Sequence, residues 1–217
     1  MVRQVARRLP PDGETESRIL EAAKRVFIRR GTAGARMQEI ADEAGVNQAL
    51  LHYYFRSKER LSEAVFSRVA APMFGAIIHI IGSDIAALDK IDRIVDTYLN
   101  VLTASPFLPG YILAELHHHP ERIPRLLGNI AGGKLSDVAS PAFDKLEKQL
   151  AAAARAGQIR RTTAAQFVVN ILSLCVFPFA ARPMLRAVLD MSDDEFAKFI
   201  EHRRKELPAY IRAALRP

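Results

Sequence analysis

The sequence predicts an all-α fold, with a small helical unit at the N-terminus followed by a larger helical body. Nearly every segment with a hydrophobic period has apolar residues three and four positions apart, which is the spacing of one helix face. No run of alternating β-branched residues indicates a strand, and we find no internal repeat. Hydrophobic residues make up 49% of the 217 and charged residues 25%, so a sizeable core can be buried.

The first predicted helices are short and close together in the chain. Apolar periodicity predicts helices at 15–30, 37–44 and 48–55, followed by a long helix from residue 57. Thr15 and Ser57 are expected to cap the first and fourth of these helices, because hydroxyl side chains accept hydrogen bonds from unpaired N–H groups. Gly31 and Gly45 are expected to end the first and second.

Helical patterns continue to the C-terminus. They lie near residues 85–104, 107–118, 136–156, 163–182 and 192–214, with proline and glycine at their boundaries. Ser192 and Glu195 have the spacing of a capping box, and Thr163 with Gln166 has the same spacing. These two signals fix where the last two long helices begin.

The net charge of +7 favours an anionic partner, of which nucleic acid is the usual one. Residues 1–68 hold 13 Lys/Arg against 9 Asp/Glu, and three of the arginines lie within residues 1–13. A basic arm of this kind contacts the minor groove or phosphates in several DNA-binding domains. Composition alone does not distinguish such an arm from a solubilising tail.

Other features exclude several classes of protein. Cys175 is the only cysteine, so no intramolecular disulfide can form. We find no apolar run of membrane-spanning length and no signal peptide, so we expect a cytoplasmic protein with no membrane partner. No nucleophile elbow, metal-ligand spacing or carboxylate pair in an apolar setting is present, so we expect no catalytic residue, cofactor or metal.

Two local patterns imitate sites of another kind. His117, His118 and His119 are consecutive, and consecutive residues of a helix point about 100° apart, so they cannot share one metal ion. The segment 128–134 matches most of a phosphate-binding loop. However, Leu135 stands where a magnesium-binding Ser or Thr is needed, and no strand precedes it.

Residues 36–55 have the anatomy of a helix-turn-helix. Ile40 and Ala41 face inward on the first helix of this motif, and the small Ala41 permits a close helix crossing. Gly45 supplies the positive φ that turns the chain, and Val46 fills the corner. This turn is expected to direct the second helix of the motif along the surface of the protein.

That second helix is expected to bury Leu50 and Leu51 and to direct polar and aromatic groups outward. The outward residues are Asn47, Gln48, Ala49, His52 and Tyr53. Amides can contact adenine edges, alanine can contact thymine methyl groups, and phenols suit phosphates. An ordinary αα-hairpin packed in a core is the alternative. The absence of any acidic residue between Gly45 and Arg56 favours DNA binding.

A longer set of residues carries a resemblance to a known family. It comprises Ile19-Leu20-Glu21-Ala22-Ala23, Phe27, Gly31, Ile40-Ala41, Ala44-Gly45-Val46 and Leu51-His52-Tyr53-Tyr54-Phe55-Arg56-Ser57-Lys58-Glu59-Arg60-Leu61. Together these residues resemble the N-terminal domain of the TetR family. The resemblance implies a three-helix DNA-binding domain with its third helix in the major groove, and a larger regulatory domain that dimerises through its last two helices.

The resemblance also implies a function and a division of the chain. We expect a transcriptional repressor that binds a palindromic DNA operator as a homodimer and is released by a small-molecule inducer. The expected division is a flexible basic arm at 1–13, a helix-turn-helix DNA-binding domain at 14–62 and a ligand-binding and dimerisation domain at 63–217. The sequence leaves open the operator, the inducer and whether binding represses or activates.

The expected DNA contacts follow from the motif and the resemblance together. They are Arg36, Gln38, Asn47, Gln48, Ala49, Leu50, His52, Tyr53 and Lys58. Arg36-Met37 stands where the family often has a phosphate-capping Thr, and Arg36 can substitute for it by charge. His52 stands where the family commonly has Tyr, and an imidazole N–H can donate to a phosphate.

The C-terminal body shows two strongly apolar helices that are expected to form the dimer interface. The interface residues predicted are Phe167, Ile171, Leu174, Phe196, Ile200, Leu207 and Ile211. Two such helices meeting their symmetry mates make a four-helix interface. The alternative is that both helices simply close the core of one protomer.

An effector pocket is expected among the helices between residues 70 and 180. Its predicted lining is Phe74, Ile78, His79, Tyr98, Phe107, Tyr111, Phe143, Asn170 and Phe179. This lining is apolar with a few polar groups, which suits a small apolar or aromatic effector. Core packing is the alternative for each residue. A small helical enzyme and a helical scaffold that binds no DNA are the rival functions.

Overall fold

The computed structural model describes residues 12–118 and 135–217, together with Pro120 and Gly128. These parts of the chain form ten helices and no strand, which confirms the predicted all-α fold. In chain order the helices are α1 (Asp12–Gly34), α2 (Met37–Ala44), α3 (Gln48–Tyr54), α4 (Lys58–Gly82), α5 (Lys90–Ala104), α6 (Leu108–His118), α7 (Leu135–Arg155), α8 (Ala164–Ala180), α9 (Arg182–Val188) and α10 (Asp193–Ala214).

The chain divides into two compact units, of which the first ends at Arg68 and the second begins at Val69. In the first unit α1 packs against α2, and α2 packs against α3. The core consists of the apolar stripes of these helices and of the start of α4. Its fully buried members are Ile19, Ala22, Ala23, Val26, Phe27, Ile40, Ala41, Leu51 and Leu61. Because α2 and α3 are too short to be stable alone, this burial is what holds them in place.

Helix α1 begins one turn earlier than predicted. It starts at Asp12, so Thr15 is not its cap but lies inside the helix with 2% of its surface exposed. The acidic residues Glu14 and Glu16 in this first part of the helix suit the positive end of the helix dipole. Gly31, which was expected to end the helix, interrupts it with φ 67° and ψ 162°, and α1 continues to Gly34. Glycine adopts a positive φ at little steric cost.

In the second unit α5 packs against both α8 and α10. Helix α8 also packs against α6, α7 and α9, which explains why its sequence is apolar on several sides. The most deeply buried side chains of the unit include Ile91, Ile94, Leu99, Leu102, Leu146, Phe167, Ile171 and Ile200. The core of the second unit therefore lies between α5, α8 and α10.

The caps predicted for the last two long helices are confirmed. The Thr163 hydroxyl accepts a hydrogen bond from the Gln166 N–H at 3.2 Å. Ser192 and Glu195 form a complete capping box, in which each side chain accepts from the backbone N–H of the other. Both helices consequently begin where these residues indicate.

The predicted single helix at 163–182 is two helices in the structure. Helix α8 ends at Ala180, and α9 follows at an angle of 70°. Pro183 lies at the start of α9, where a missing N–H costs nothing. Hydrophobic periodicity does not indicate α9, because its seven residues are too few to show a helical period.

A proline inside α8 explains one long-range contact. Pro178 has no N–H, so it cannot donate to the Leu174 carbonyl one turn earlier. Two nitrogens of the Arg203 guanidinium on α10 donate to that oxygen instead, at 2.9 Å and 3.2 Å. The carbonyl is therefore satisfied by a neighbouring helix.

Helix α4 is more apolar than the sequence analysis recognised. An 18-residue window within Lys58–Gly82 has a mean hydropathy of 1.7, so by length and composition this helix could cross a membrane, and α8 with α9 passes the same test as a bent pair. The expectation that no such run exists was therefore wrong. However, the buried residues of α4 lie on one stripe of the helix, which is the pattern of a core helix. They are Leu61, Val65, Phe66, Ala70, Met73, Ile77 and Ile81.

Candidate nucleic-acid interface

The turn between α2 and α3 is built on Gly45. This residue has φ 64° and ψ 36°, the left-handed conformation in which a side chain would be strained even though the space beside it is open. The Gly45 N–H donates to the Asp42 carbonyl at 3.1 Å, and the Val46 N–H donates to the Ala41 carbonyl at 3.0 Å. The end of α2 is thus closed and the chain is redirected into α3.

Asn47 caps α3. Its Oδ1 accepts a hydrogen bond from the Leu50 N–H at 2.7 Å. The side-chain oxygen expected to contact a base is therefore already bonded, whereas the amide NH₂ of this exposed residue keeps its donors. The structure assigns Asn47 a role in starting the helix, which the sequence analysis overlooked.

Helix α3 has a buried side and an exposed side. Leu51 is fully buried, as predicted, while Leu50 is only half-buried, because it lies at the edge between the two sides. Tyr53 has 76% of its surface exposed, and its ring meets that of Tyr54 edge to face at a centroid distance of 5.4 Å.

Four exposed side chains share the outward side of α3. They are Gln48, Ala49, His52 and Tyr53, and we call this set the α3 face. Their spacing of one, four and five positions places them on adjacent rows of one helix surface. The α3 face offers an amide, a methyl group, an imidazole and a phenol, and no carboxylate.

Two of the three carboxylates of α2, those of Glu39 and Glu43, are paired with arginines of α1. Arg25 and Arg29 each lie 2.8 Å from an oxygen of Glu43. Arg30 lies 3.2 Å from Glu39. Hydrogen bonds from Arg29 and then Arg25 lower the pKa of Glu43 below its usual value, so it stays ionised and paired. These contacts fix α2 on α1 and compensate the negative charge of α2.

The remaining predicted DNA contacts lie at the start of α2 and at the start of α4. Lys58 donates through Nζ to the Ala33 and Ala35 carbonyls at 3.1 Å and 3.2 Å, so its ammonium holds the link between α1 and α2. Gln38 donates through Nε2 to Asp42 at 2.8 Å. Arg36 is exposed, in extended backbone conformation, at the position before α2, and its side chain does not cap that helix.

The predicted effector-pocket residues differ in how far they are buried. Tyr98, Tyr111 and Phe179 are buried, and Phe74, Ile78 and Phe143 are half-buried. His79, Phe107 and Asn170 are exposed, and Asn170 lines a surface cleft of about 310 Å³, so the effector pocket stays a prediction. Phe107, with 60% of its surface exposed, instead lies 5.9 Å from the guanidinium of Arg182.

Two buried titratable side chains, one on α5 and one on α8, stay in their neutral forms. Burial raises the pKa of the Cys175 thiol to about 12, so the thiol stays protonated and unreactive. Burial also raises the pKa of Tyr98 far above its usual value. Both groups therefore contribute to the core as neutral side chains.

The predicted dimer residues lie mostly inside one protomer. Six of the seven are buried in the single chain, namely Phe167, Ile171, Phe196, Ile200, Leu207 and Ile211, whereas Leu174 is half-buried. In the single chain these six side chains pack into the core of one protomer, where α8 and α10 each lie against α5, so their place in a dimer interface stays a prediction.

The same helices also carry large exposed apolar residues outside their buried stripes. These are Val169 and Phe177 on α8 and Tyr210 on α10. Tyr210 was not among the predicted interface residues, although an aromatic residue outside the apolar stripe of an amphipathic helix is a recognisable signal.

The two patterns that imitate a metal site and a phosphate-binding loop lie partly outside the described residues. His117 is exposed, while the side chain of His118 and the whole of His119 lie outside the description. Of the segment 128–134, only Gly128 is described. Among the described residues, no group of three or more His, Cys, Asp or Glu could hold a metal ion.

Two sequence profiles match the chain. Residues 19–65 match the profile described as bacterial regulatory proteins, tetR family. Residues 88–207 match the profile described as tetracyclin repressor-like, C-terminal domain. The second match alone covers more than half of the 217 residues.

A relative and two solved structures are also similar. The HTH-type transcriptional repressor Rv3405c of Mycobacterium tuberculosis is 32% identical over 140 residues, which cover 64% of this chain and 66% of the relative. The chain spans between 27% and 66% of the length of the first curated relatives that it matches.

The putative transcriptional regulator SCO4942 from Streptomyces coelicolor has a TM-score of 0.66 and 25% identity, covering 94% of this chain and 99% of that one. The structure of AibR in complex with isovaleryl coenzyme A and operator DNA has a TM-score of 0.56 and 20% identity, covering 76% of this chain and 85% of that one. Because AibR is only 20% identical to this chain, its similarity shows that the two proteins share a fold.

Proposed function

The chain belongs to the TetR family of bacterial regulatory proteins, and we propose that it binds a palindromic operator as a homodimer and is released from it by a small-molecule effector. The observation that carries the DNA-binding part is the α3 face. Its amide, methyl, imidazole and phenol groups are exposed together on a helix that has no carboxylate. This is the chemistry that the edges of base pairs and phosphates require.

In this proposal α3 enters the major groove. Gln48 donates and accepts at an adenine edge, and Ala49 contacts a thymine methyl group. Tyr53 and His52 donate to phosphates, and Arg36 adds a charge at the side of the motif. Lys58 holds the α1–α2 link through two N–H groups, which leaves the third for a phosphate.

A homodimer doubles this contact. Two helix-turn-helix motifs that occupy successive major grooves about 34–36 Å apart require a two-fold symmetric operator. The exposed apolar residues of α8 and α10 favour these helices as the place where two copies meet. Access to chromosomal DNA also implies a cytoplasmic location.

An effector that binds the second unit completes the proposal. AibR, which has the same fold, was solved in complex with isovaleryl coenzyme A and operator DNA. Its small-molecule ligand is therefore an acyl compound. Apolar and aromatic side chains of the second unit favour a small apolar or aromatic effector here. Repression is proposed because the relative Rv3405c is named a repressor.

Binding to the DNA that flanks the protein's own gene tests the proposal. Gln48→Ala should weaken binding by about 5- to 150-fold, because a bidentate base contact is worth about 1–3 kcal/mol. The matched control is Gln158→Ala, which removes an exposed amide of the second unit and should leave the affinity unchanged. Fluorescence anisotropy with labelled duplexes measures both.

Salt dependence separates DNA binding from a scaffold function. Wild-type affinity should fall steeply as salt rises, because bound phosphates release counterions. A wild-type protein that binds no duplex even at low salt, or a Gln48→Ala variant that binds as well as wild type, would contradict the proposal. A titration with candidate acyl and aromatic ligands then tests release.

A further inference from the structure

The outward side of α8 and α10 carries two adjoining clefts. The larger has a volume of about 310 Å³, and its lining includes Phe167, Asn170 and Ser173. The smaller has a volume of about 240 Å³. Leu174 and Tyr210 border both clefts, so Tyr210 stands on the ridge between them with 62% of its surface exposed.

The floor between the clefts is held in position. The Leu174 carbonyl on α8 has no donor within its own helix, because Pro178 lacks an N–H. Two nitrogens of Arg203 on α10 donate to this carbonyl instead. These bonds fix the spacing of α8 and α10 at the ridge. The clefts are therefore features of the folded protomer that do not depend on a partner to form.

A row of side chains on α8 extends the exposed apolar surface. Val169, Ser173 and Phe177 are four positions apart, so they lie on one line along the helix, and both apolar members have more than half of their surface exposed. Exposed apolar groups that lie beside preformed clefts mark a protein-binding surface.

The charges on the same side favour a second copy as the partner. His202 and Glu206 lie 3.1 Å apart on the rim of the smaller cleft, and Arg203 lies beside them. Groups of both signs can meet opposite charges when the surface faces itself across a two-fold axis, whereas a surface of one sign would repel its copy.

We propose that the Tyr210 ring of each protomer inserts into the larger cleft of a second copy of this chain. A cavity of about 150 Å³ accommodates benzene, so a cleft of 310 Å³ has room for a phenol ring. The Asn170 amide and the Ser173 hydroxyl in that cleft offer partners for the phenol O–H. Because Tyr210 borders the cleft of its own protomer, one two-fold axis beside it makes both insertions at once.

This inference rests on the proposed homodimer and names its central contact. Tyr210→Ala should raise the dimer dissociation constant by about 30-fold or more, since buried tyrosines at interface centres contribute about 2 kcal/mol or more. Tyr53→Ala is the matched control, because it removes another exposed tyrosine outside the second unit and should leave dimerisation unchanged. Sedimentation velocity across a range of concentrations measures both, and circular dichroism confirms that both are folded.

A double-mutant cycle tests the contact itself. Ser173→Trp fills the larger cleft and should also weaken dimerisation, because the partner's ring no longer fits. Added to Tyr210→Ala, it should cost little more, since no ring remains to be excluded. Strictly additive losses, or a Tyr210→Ala variant that dimerises like wild type, would overturn the inference and leave the dimer standing. A wild-type chain that is monomeric at high micromolar concentration would instead overturn the proposed function.

Discussion

Two tyrosines show how the two units of the molecule differ. Tyr53 and Tyr210 are both more than half exposed on the surface of a helix. Tyr53 is surrounded by an amide, a methyl group and an imidazole, whereas Tyr210 stands between two clefts whose linings combine apolar side chains with polar and charged ones. The same side chain therefore suits a hydrogen-bonded polar partner in one unit and a shape-complementary protein in the other. The neighbours of a residue, more than its type, determine its partner.

The units also differ in how they are held together. The first has a small core, and arginine–carboxylate pairs add to the packing of α1 on α2. The second has a larger core in which α5 is covered by α8 and α10. Loss of one core aromatic should consequently be costly in the second unit, and changes at the surface of the first should be small but visible in DNA binding.

The largest expected effect tests whether the buried side of α8 belongs to the protomer. Phe167 has 2% of its surface exposed, so Phe167→Ala should lower the free energy of unfolding by about 3–5 kcal/mol. Phe107→Ala is the control in the same unit, because 60% of Phe107 is exposed, and it should cost less than about 1 kcal/mol. Urea denaturation at a fixed protein concentration measures both. A Phe167→Ala protein that stays stable but becomes monomeric would show that Phe167 contributes to the dimer interface more than to the core of the protomer.

The burial of Phe167 shows which structural features could be predicted from the sequence and which could not. The sequence correctly indicated that Phe167 belongs to a strongly apolar helix, but such a composition only shows that the helix is covered. Whether α5 or a second copy covers it depends on the packing of segments some 70 residues apart, which no local pattern specifies. Gly45 and Ser192, by contrast, act on residues within a few positions, and both had the predicted roles.

The candidate DNA interface shows the same distinction between local and distant contacts. The exposure of Gln48, His52 and Tyr53 follows from the position of Leu51 on a short helix and was predicted. The bonds of Lys58 to the Ala33 and Ala35 carbonyls join residues more than 20 positions apart and were not.

A smaller effect separates capping from base contact in the first unit. Asn47→Ala should destabilise α3 by about 1 kcal/mol, because the Leu50 N–H loses its acceptor. Asn47→Ser keeps a capping oxygen and should restore most of that stability. Hydrogen exchange of amides in residues 48–54 measures the change within the full chain. If the Ser variant is as destabilised as the Ala variant, the cap is not what Asn47 contributes. If it is stable but binds DNA weakly, the amide also contacts DNA.

The smallest expected effect concerns the pairing of α1 with α2. Because Arg29 and Arg25 lower the pKa of Glu43 in the folded protein, the ionised form is favoured by folding. The resulting stability is present above the unfolded pKa near 4.5 and is lost as the pH falls through the lower folded value. Glu43→Gln should therefore speed exchange of the α2 amides at pH 7, and its difference from wild type should shrink as the pH falls below about 4.5.

Salt provides the control for this last effect, because Arg25, Arg29 and Glu43 are accessible to solvent. At an ionic strength of about 1 M the screening length is about 3 Å, so the difference between Glu43→Gln and wild type should become smaller at neutral pH as well. A difference that persists unchanged at acid pH and at high salt would show that Glu43 holds α2 by packing and hydrogen bonding alone. The first unit would then resemble the second in what stabilises it, and the two would differ only in the surfaces that they present.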